Sequence, residues 1–194
     1  MTTIAFRAGL IASDSRGTWG DFICPDKVKK MVVSEKHGCV YAIAGSYPHA
    51  VRFIRVLDSL DRLPWNEPSK MLDFAELQGD EEQKFSIVVL QWDGRLFTFE
   101  AGIYAEIITE FYSIGSGAQA ALAAMTMGAD AMKAIQIAST VDCGTDSNIV
   151  CYGVEELTKP AYLSARVRSP KPRARPTQAA PARSKSRASR KKPA

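Results

Sequence analysis

Apolar residues recur along this chain with two periods, and the changes of period mark its elements. Thr3–Arg7 and Leu10–Ser13 are short apolar runs on either side of Ala8-Gly9, the pattern of two strands joined by a tight turn. Met31–Ser34 and Cys39–Ala44 flank Glu35-Lys36-His37-Gly38 and read as a second hairpin. Phe85–Gln91 and Arg95–Glu100 surround Trp92-Asp93-Gly94, whose Asp-Gly step favours a hairpin turn. Between the second and third hairpins the period lengthens. Val51, Ile54, Val56, Leu57 and Leu60 recur at near-helical spacing, with Arg52, Arg55 and Asp58 elsewhere, so a helix is expected over Tyr47–Leu60. Residues 61–84 are polar and hold Pro64 and Pro68, with a short helix expected at 69–78. Gly117–Met127 and Asp130–Val141 are Ala- and Met-rich helical segments broken at Gly128, and Ile149–Val154 reads as a last strand.

The order is strands, helix, strands, two helices, strand. Runs of strands followed by runs of helices argue for a layered α+β fold and against a doubly wound parallel sheet. Two sheets face to face with helices outside fit that order. Trp65, Trp92 and Phe97 read as core or interface packing.

Charge divides the chain in two. From Arg166 to Ala194 there are eleven Lys/Arg and no acid, which leaves 14 bases against 21 acids before it, a net charge of −7 on the body. The stretch 164–194 is rich in Pro, Ala, Ser, Arg and Lys, and Val167 is its single large aliphatic residue. Such a segment cannot bury enough apolar surface to offset its ordering entropy, so it reads as a disordered basic tail after a domain over 1–163. The tail suits an anionic partner such as nucleic acid, or serves as a solubilising arm that folds back on the acidic body.

Candidate chemistry is narrowed by what the chain holds. Its histidines are His37 and His49, and the cysteines Cys24, Cys39, Cys143 and Cys151 form no Cys-x-x-Cys pair. That spacing argues against a zinc site and gives Ser-His-Asp or Cys-His catalysis little to work with. Cys143 reads as a buried structural thiol, and His49 as a surface residue or a substrate contact. No run reaches the ~18–20 apolar residues that span a bilayer, and Met1–Arg7 lacks the marks of a signal peptide. A cytoplasmic protein without disulfides is expected.

The opening of the chain carries the strongest signal. Thr2-Thr3-Ile4-Ala5-Phe6-Arg7 is followed by Ile11-Ala12-Ser13-Asp14-Ser15-Arg16, then by Lys29-Lys30-Met31 before a hairpin ending in Ala44-Gly45-Ser46. Ile114-Gly115-Ser116-Gly117 opens an Ala-rich helix, and Asp142-x-x-Thr145 precedes the last strand. Over about residues 2–157 this ordered set resembles the proteasome β subunits and their simpler bacterial relatives, the N-terminal-nucleophile hydrolases of the threonine-peptidase type. The resemblance implies a four-layer αββα sandwich, a homo-oligomeric ring and a peptide or protein substrate, with no cofactor. It also implies Thr2 as nucleophile once Met1 is removed. A threonine hydroxyl needs a base close by, and a free α-amine on the same residue can serve.

The same resemblance gives the other positions roles. Lys30 would favour the deprotonated hydroxyl of Thr2, and Asp14 would pair with that lysine. The Gly45 N–H would meet the developing oxyanion. Ser116, Asp142 and Thr145 would bond around the α-amine. Three features depart from the family pattern. Thr2 to Asp14 is short, so the first hairpin must be tight. Lys27-Val28 also resembles the family's lysine, and Lys30 is preferred because Lys27 would need an overlong first strand. Thr145 stands where a serine is usual. Plainer readings remain for each position: a helix cap at Gly115-Ser116-Gly117, a turn at Asp14-Ser15-Arg16, a solvated strand edge at Lys27, Lys29 and Lys30. The rival for the whole chain is a non-catalytic assembly or binding protein on the same fold.

Overall fold

The computed structural model describes residues 1–20, 22–63, 84–100 and 103–164. The helix expected at 69–78, Trp65 and the tail from 165 onward lie outside them. The first hairpin is as tight as its length requires. β1 (Thr3–Arg7) turns into β2 (Leu10–Asp14) through Ala8 and Gly9 alone, with φ of 50° and 81°. Positive φ at both central residues matches a two-residue turn to the right-handed twist of the strands. Gly9 takes this geometry freely and Ala8 does so with some strain.

A second hairpin follows, β3 (Arg16–Trp19) and β4 (Phe22–Lys27), and it forms a two-stranded sheet of its own. β5 (Met31–Ser34) and β6 (Cys39–Gly45) lead into α1 (Tyr47–Ser59), which begins on Pro48 in its first turn, a position that tolerates the missing N–H. β7 (Phe85–Gln91), β8 (Leu96–Glu100), β9 (Ile103–Ile107) and β10 (Phe111–Gly115) follow. After them come α2 (Ala118–Thr126), α3 (Ala131–Val141), β11 (Ile149–Gly153), a 3-10 turn at Val154–Glu156 and the short α4 (Ala161–Ser164).

The larger sheets are antiparallel, in the orders β10-β1-β2-β11 and β5-β6-β7-β8-β9. Alternation along each strand sorts side chains between two faces, and this produces three apolar clusters. Ile4 and Phe6 of β1 meet Val40, Ala42 and Ala44 of β6 and Val88 of β7 between the two sheets. Ala5 and Ala12 point the other way, onto Ala121, Met125, Ala134 and Ala138 of α2 and α3. Tyr41 and Ile43, the opposite face of β6, pack with Phe85 and Phe99 against Phe53 and Leu57 of α1. The alanines let α2 and α3 lie close to their sheet. Asp130 caps α3 by accepting the Lys133 N–H at 2.7 Å. The Arg7 guanidinium donates to the Met125 and Ala129 carbonyls at the end of α2, where the helix dipole favours a cation.

Three sequence expectations need correction or extension. Cys143 is exposed, because the loop after α3 runs along the surface. β9 and β10 were not expected from the pattern, and neither was the β3–β4 hairpin. In β4 every residue but Cys24 is exposed, so no apolar alternation exists there to be read. Trp92 is half-buried under Lys159, whose Nζ stands 5.2 Å from a ring centroid, and Phe97 is buried in the α1-facing cluster.

Candidate active site

Strand ends from both sheets meet at one edge, beside the first two residues of the chain. The tight β1–β2 hairpin brings Asp14, the last residue of β2, alongside the start of β1. There the Asp14 carboxylate is fully buried and accepts four donors. Oδ1 takes the Thr3 N–H at 2.8 Å and Lys30 Nζ at 2.8 Å. Oδ2 takes the Arg16 N–H at 2.9 Å and the Asp146 N–H at 3.3 Å. Lys30 immediately precedes β5 and is anchored by its carbonyl, which accepts the Ile43 N–H at 2.8 Å. Its side chain is 4% exposed, and burial pushes the ammonium below its ordinary pKa while Asp14 pushes it back up.

Thr2 is buried at the head of β1. Its hydroxyl donates to the Met1 carbonyl oxygen at 2.7 Å, and Lys30 Nζ donates to the same oxygen at 3.1 Å. The Met1 amine donates to Thr18 Oγ1 at 2.7 Å. Burial, and then the Lys30 charge, hold that amine below its usual value. A small cavity of about 110 Å³ opens here, and Thr2, Thr18, Lys30, Ile43 and Gly45 are among the residues lining it. Gly45 ends β6 with φ +87°, and a Cβ there would press on the Lys84 carbonyl and on Phe85. Only glycine takes that backbone geometry without strain or clash.

On the other side of residue 2, Ser116 donates its N–H to the Thr2 carbonyl at 2.8 Å, as the Thr3↔Gly115 register of β1 and β10 requires. The Ser116 hydroxyl donates to Asp142 Oδ2 at 2.8 Å, and Thr145 Oγ1 donates to the same oxygen at 2.5 Å. Asp142 is the C-terminal cap residue of α3. Burial pushes its carboxyl up, but the bonds from Thr145, Ser116 and the Gly144 N–H outweigh that and hold it below the usual range. With Met1 in place Ser116 and Thr145 both bond Asp142, Ser116 also bonds the Thr2 carbonyl, and the Met1 amine bonds Thr18.

Thr2, Asp14, Lys30, Gly45, Ser116, Asp142 and Thr145 therefore lie together. Lys27 does not join them. It is exposed on β4 opposite Arg16, while Lys30 sits where the chain turns inward to Met31 of the core. Arg16 does not form a local ion pair with Asp14 through its guanidinium, which donates to the Cys143 carbonyl at 2.5 Å.

Sequence reasoning missed several contributors. Thr3 Oγ1 is buried, lies 2.5 Å from Thr145 Oγ1 and accepts the Gly117 N–H at 3.0 Å, tying β1 to the α2 entrance. Ser15 bonds Asp146 and Asn148, which clamps the loop under Asp14. Thr18 receives the chain's amine. Thr3 is adjacent to the nucleophile candidate and could have been weighed; the partners of Ser15 lie more than 130 residues away and leave no local signal.

No protein-family model and no curated protein sequence matches this chain. Solved structures do. Eukaryotic HslV from Trypanosoma brucei superposes with a TM-score of 0.59 at 18% identity, covering 78% of this chain and 97% of that one. BPH from Thiobacillus denitrificans gives 0.59 at 19% identity over 82% of this chain and 98% of its own. The complex of BPH with epoxomicin gives 0.60 at 16% identity, again over 82% and 98%. Nearly the whole of each relative is matched, at identities that speak for the fold, and the fold is that of the proteasome-like N-terminal-nucleophile hydrolases.

Proposed function

We propose that this chain is a threonine-type N-terminal-nucleophile hydrolase that cleaves amide bonds, in peptides or proteins, through an acyl-enzyme on Thr2. The observation that carries the reading is the convergence at residues 1 and 2. The Thr2 hydroxyl and the Lys30 ammonium share one acceptor, the Met1 carbonyl, with Asp14 fixing the lysine from behind. A buried cation next to a hydroxyl favours its deprotonated form. Removal of Met1 turns the Thr2 nitrogen from an amide into an amine, the base the hydroxyl lacks.

The step then balances simply. The Thr2 amine takes the hydroxyl proton while Oγ1 attacks the substrate carbonyl. The Gly45 N–H steadies the oxyanion, and the proton passes to the leaving amine. Water, activated by the same amine, releases the acyl group. Ser116, Asp142 and Thr145 hold the amine in position and set its protonation. The finer architecture we infer is a four-layer αββα sandwich over residues 1–163, followed by the basic tail, and assembled as a homo-oligomeric ring in the cytoplasm.

Epoxomicin, the ligand of the BPH complex, supplies the test. An epoxyketone bridges the hydroxyl and the free amine of an N-terminal threonine. Intact mass should show protein lacking Met1 that gains one epoxomicin, with no gain in Thr2→Ala. Retention of Met1 on the native protein, or full resistance of the Met1-free protein to the reagent together with no peptide turnover, would overturn the proposal.

A further inference from the structure

The β3–β4 hairpin stands apart from the rest of the fold. It belongs to neither large sheet; the Val28 N–H closes its base on the Ser15 carbonyl at 2.9 Å, and at its root Arg16 bonds Asp14 and the Cys143 carbonyl while Thr18 accepts the Met1 amine. Of its strand residues only Gly17 is buried. Yet its tip carries three large apolar side chains in full view of solvent: Trp19 at 85% exposure, Phe22 at 80% and Ile23 at 60%. A two-stranded hairpin is marginal in water by itself. Taking about 150–250 Å² for each large ring, the tip exposes roughly 400–500 Å² of apolar surface, within the ~300–600 Å² of a monomer's largest patch, which is often functional. It would supply about half of the ~800 Å² that each partner gives to a stable interface.

The same chain holds a matching socket. A groove of about 480 Å³ runs between β5 and α1 and shares no lining residue with the cavity beside Thr2. Its walls are Val32, Val33, Val51 and Ile54, with Arg55, Asp58 and Ser59 also lining it. β5 is the edge strand of its sheet among the described residues. The tip cannot fill the groove of its own chain, since its side chains are exposed. Knob and socket lie on different elements, so every copy presents both. A contact between them is heterologous, and heterologous contacts close into rings when the rotation permits.

We propose that the Trp19/Phe22/Ile23 tip docks into the β5–α1 groove of a second copy of this chain, and that this is the contact between neighbours in the assembly. The inference rests on the assembly part of the function proposed above and is independent of its chemistry. It has a consequence for the site. The root of the same hairpin supplies Arg16, Gly17, Thr18 and Cys24 to the cavity beside Thr2, so seating the tip in a neighbour steadies one wall of that cavity.

The test reads mass, not activity. Full-length protein is followed by sedimentation velocity across a concentration series, beside a tip variant, Trp19→Ser/Phe22→Ser, and a socket variant, Val33→Arg/Ser59→Arg. Wild type should assemble. Each variant should be monomeric, with association weakened about 30-fold or more, as for truncated hot-spot residues, and with an unchanged circular-dichroism spectrum. Ile23→Lys, a charge at an exposed position, is the second tip variant should the first not fold. Mixing equimolar tip and socket variants should give a dimer of one each and nothing larger, because one intact knob meets one intact socket. A monomeric wild type at tens of micromolar, a variant that assembles as wild type does, or a mixture without the mixed dimer would each overturn the proposal. None of these outcomes bears on epoxomicin capture by Thr2.

Discussion

The Asp14–Lys30 pair is buried on both sides, and the structure makes its two halves unequal. Asp14 has three backbone N–H donors besides the lysine, from Thr3, Arg16 and Asp146. The Lys30 ammonium has only Asp14 and the Met1 carbonyl as hydrogen-bond partners among the described residues. Removing the carboxylate with Asp14→Ala leaves a buried ammonium without its counter-charge, at about 3–5 kcal/mol. It also leaves the Thr3 and Arg16 N–H groups unpaired, at about 1 kcal/mol or more each. The total, roughly 5–7 kcal/mol, is comparable with the whole stability of a small domain. Lys30→Met instead leaves a carboxylate still bonded by three backbone N–H donors, and fills the space of the lysine stem. That change should cost about 1–3 kcal/mol.

Urea unfolding of both variants and the double variant at pH 7.5 measures the difference. A pH series adds a signature. Burial holds Lys30 below its unfolded value, so between the two values the unfolded chain binds more protons, and stability rises with pH. Without Asp14, which holds the lysine up, the rise should begin at lower pH, and Asp14→Ala should regain part of its loss toward pH 9. The double variant should show no such rise. If Lys30→Met costs as much as Asp14→Ala, or if the Asp14→Ala loss is flat with pH, the arrangement described for the pair is wrong.

Gly115→Ala forces a side chain onto φ +99° and into the Thr2 carbonyl; it should cost about 2 kcal/mol or more and abolish epoxomicin capture, read by unfolding and intact mass. Phe53→Ala removes a ring stacked at 4.4 Å on Phe99 and 5.5 Å from Phe85, for about 3–5 kcal/mol, and should leave capture intact below its lowered melting point because α1 covers the far face of the sheet. Thr145→Val deletes a donor that holds the Asp142 carboxyl low. A carboxyl held low contributes stability above its unfolded value and loses it as pH falls through the folded one, so the variant should be less stable at neutral pH and lose less on acid titration, the loss ending at higher pH. Met1 is held by Thr18, Thr2 and Lys30 through its amine and carbonyl; a methionine aminopeptidase should therefore trim the unfolded chain and spare protein already folded with Met1 on, as intact mass will show.

What the sequence made legible follows from how far each signal reaches. The hairpin at Ala8-Gly9, the helix from Tyr47 and the alanine-rich α2 and α3 each bury one face, and a buried face writes its period into neighbouring residues. β4 buries almost nothing of itself, so it left no period, and its exposed Phe22 and Ile23 read as noise. The lysines show the same limit. Lys27, Lys29 and Lys30 are alike as charges, and only the fold distinguishes the one whose carbonyl is taken by Ile43 and whose neighbour Met31 enters the core.

Strand ends explain why the candidate site was nevertheless visible in outline. Asp14, Gly45 and Gly115 each close a strand, and Lys30 immediately precedes one. A strand end is where the local pattern breaks, so a polar or glycine residue there stands out against its apolar run. Thr3 shows the converse. It opens β1, yet its hydroxyl is consumed in bonds to Thr145 and the Gly117 N–H, partners that leave no mark on the run around it. Its contribution is to hold α2 and the loop after α3 at a fixed distance from residue 2. That is a property of three segments at once, and no single stretch of sequence carries it.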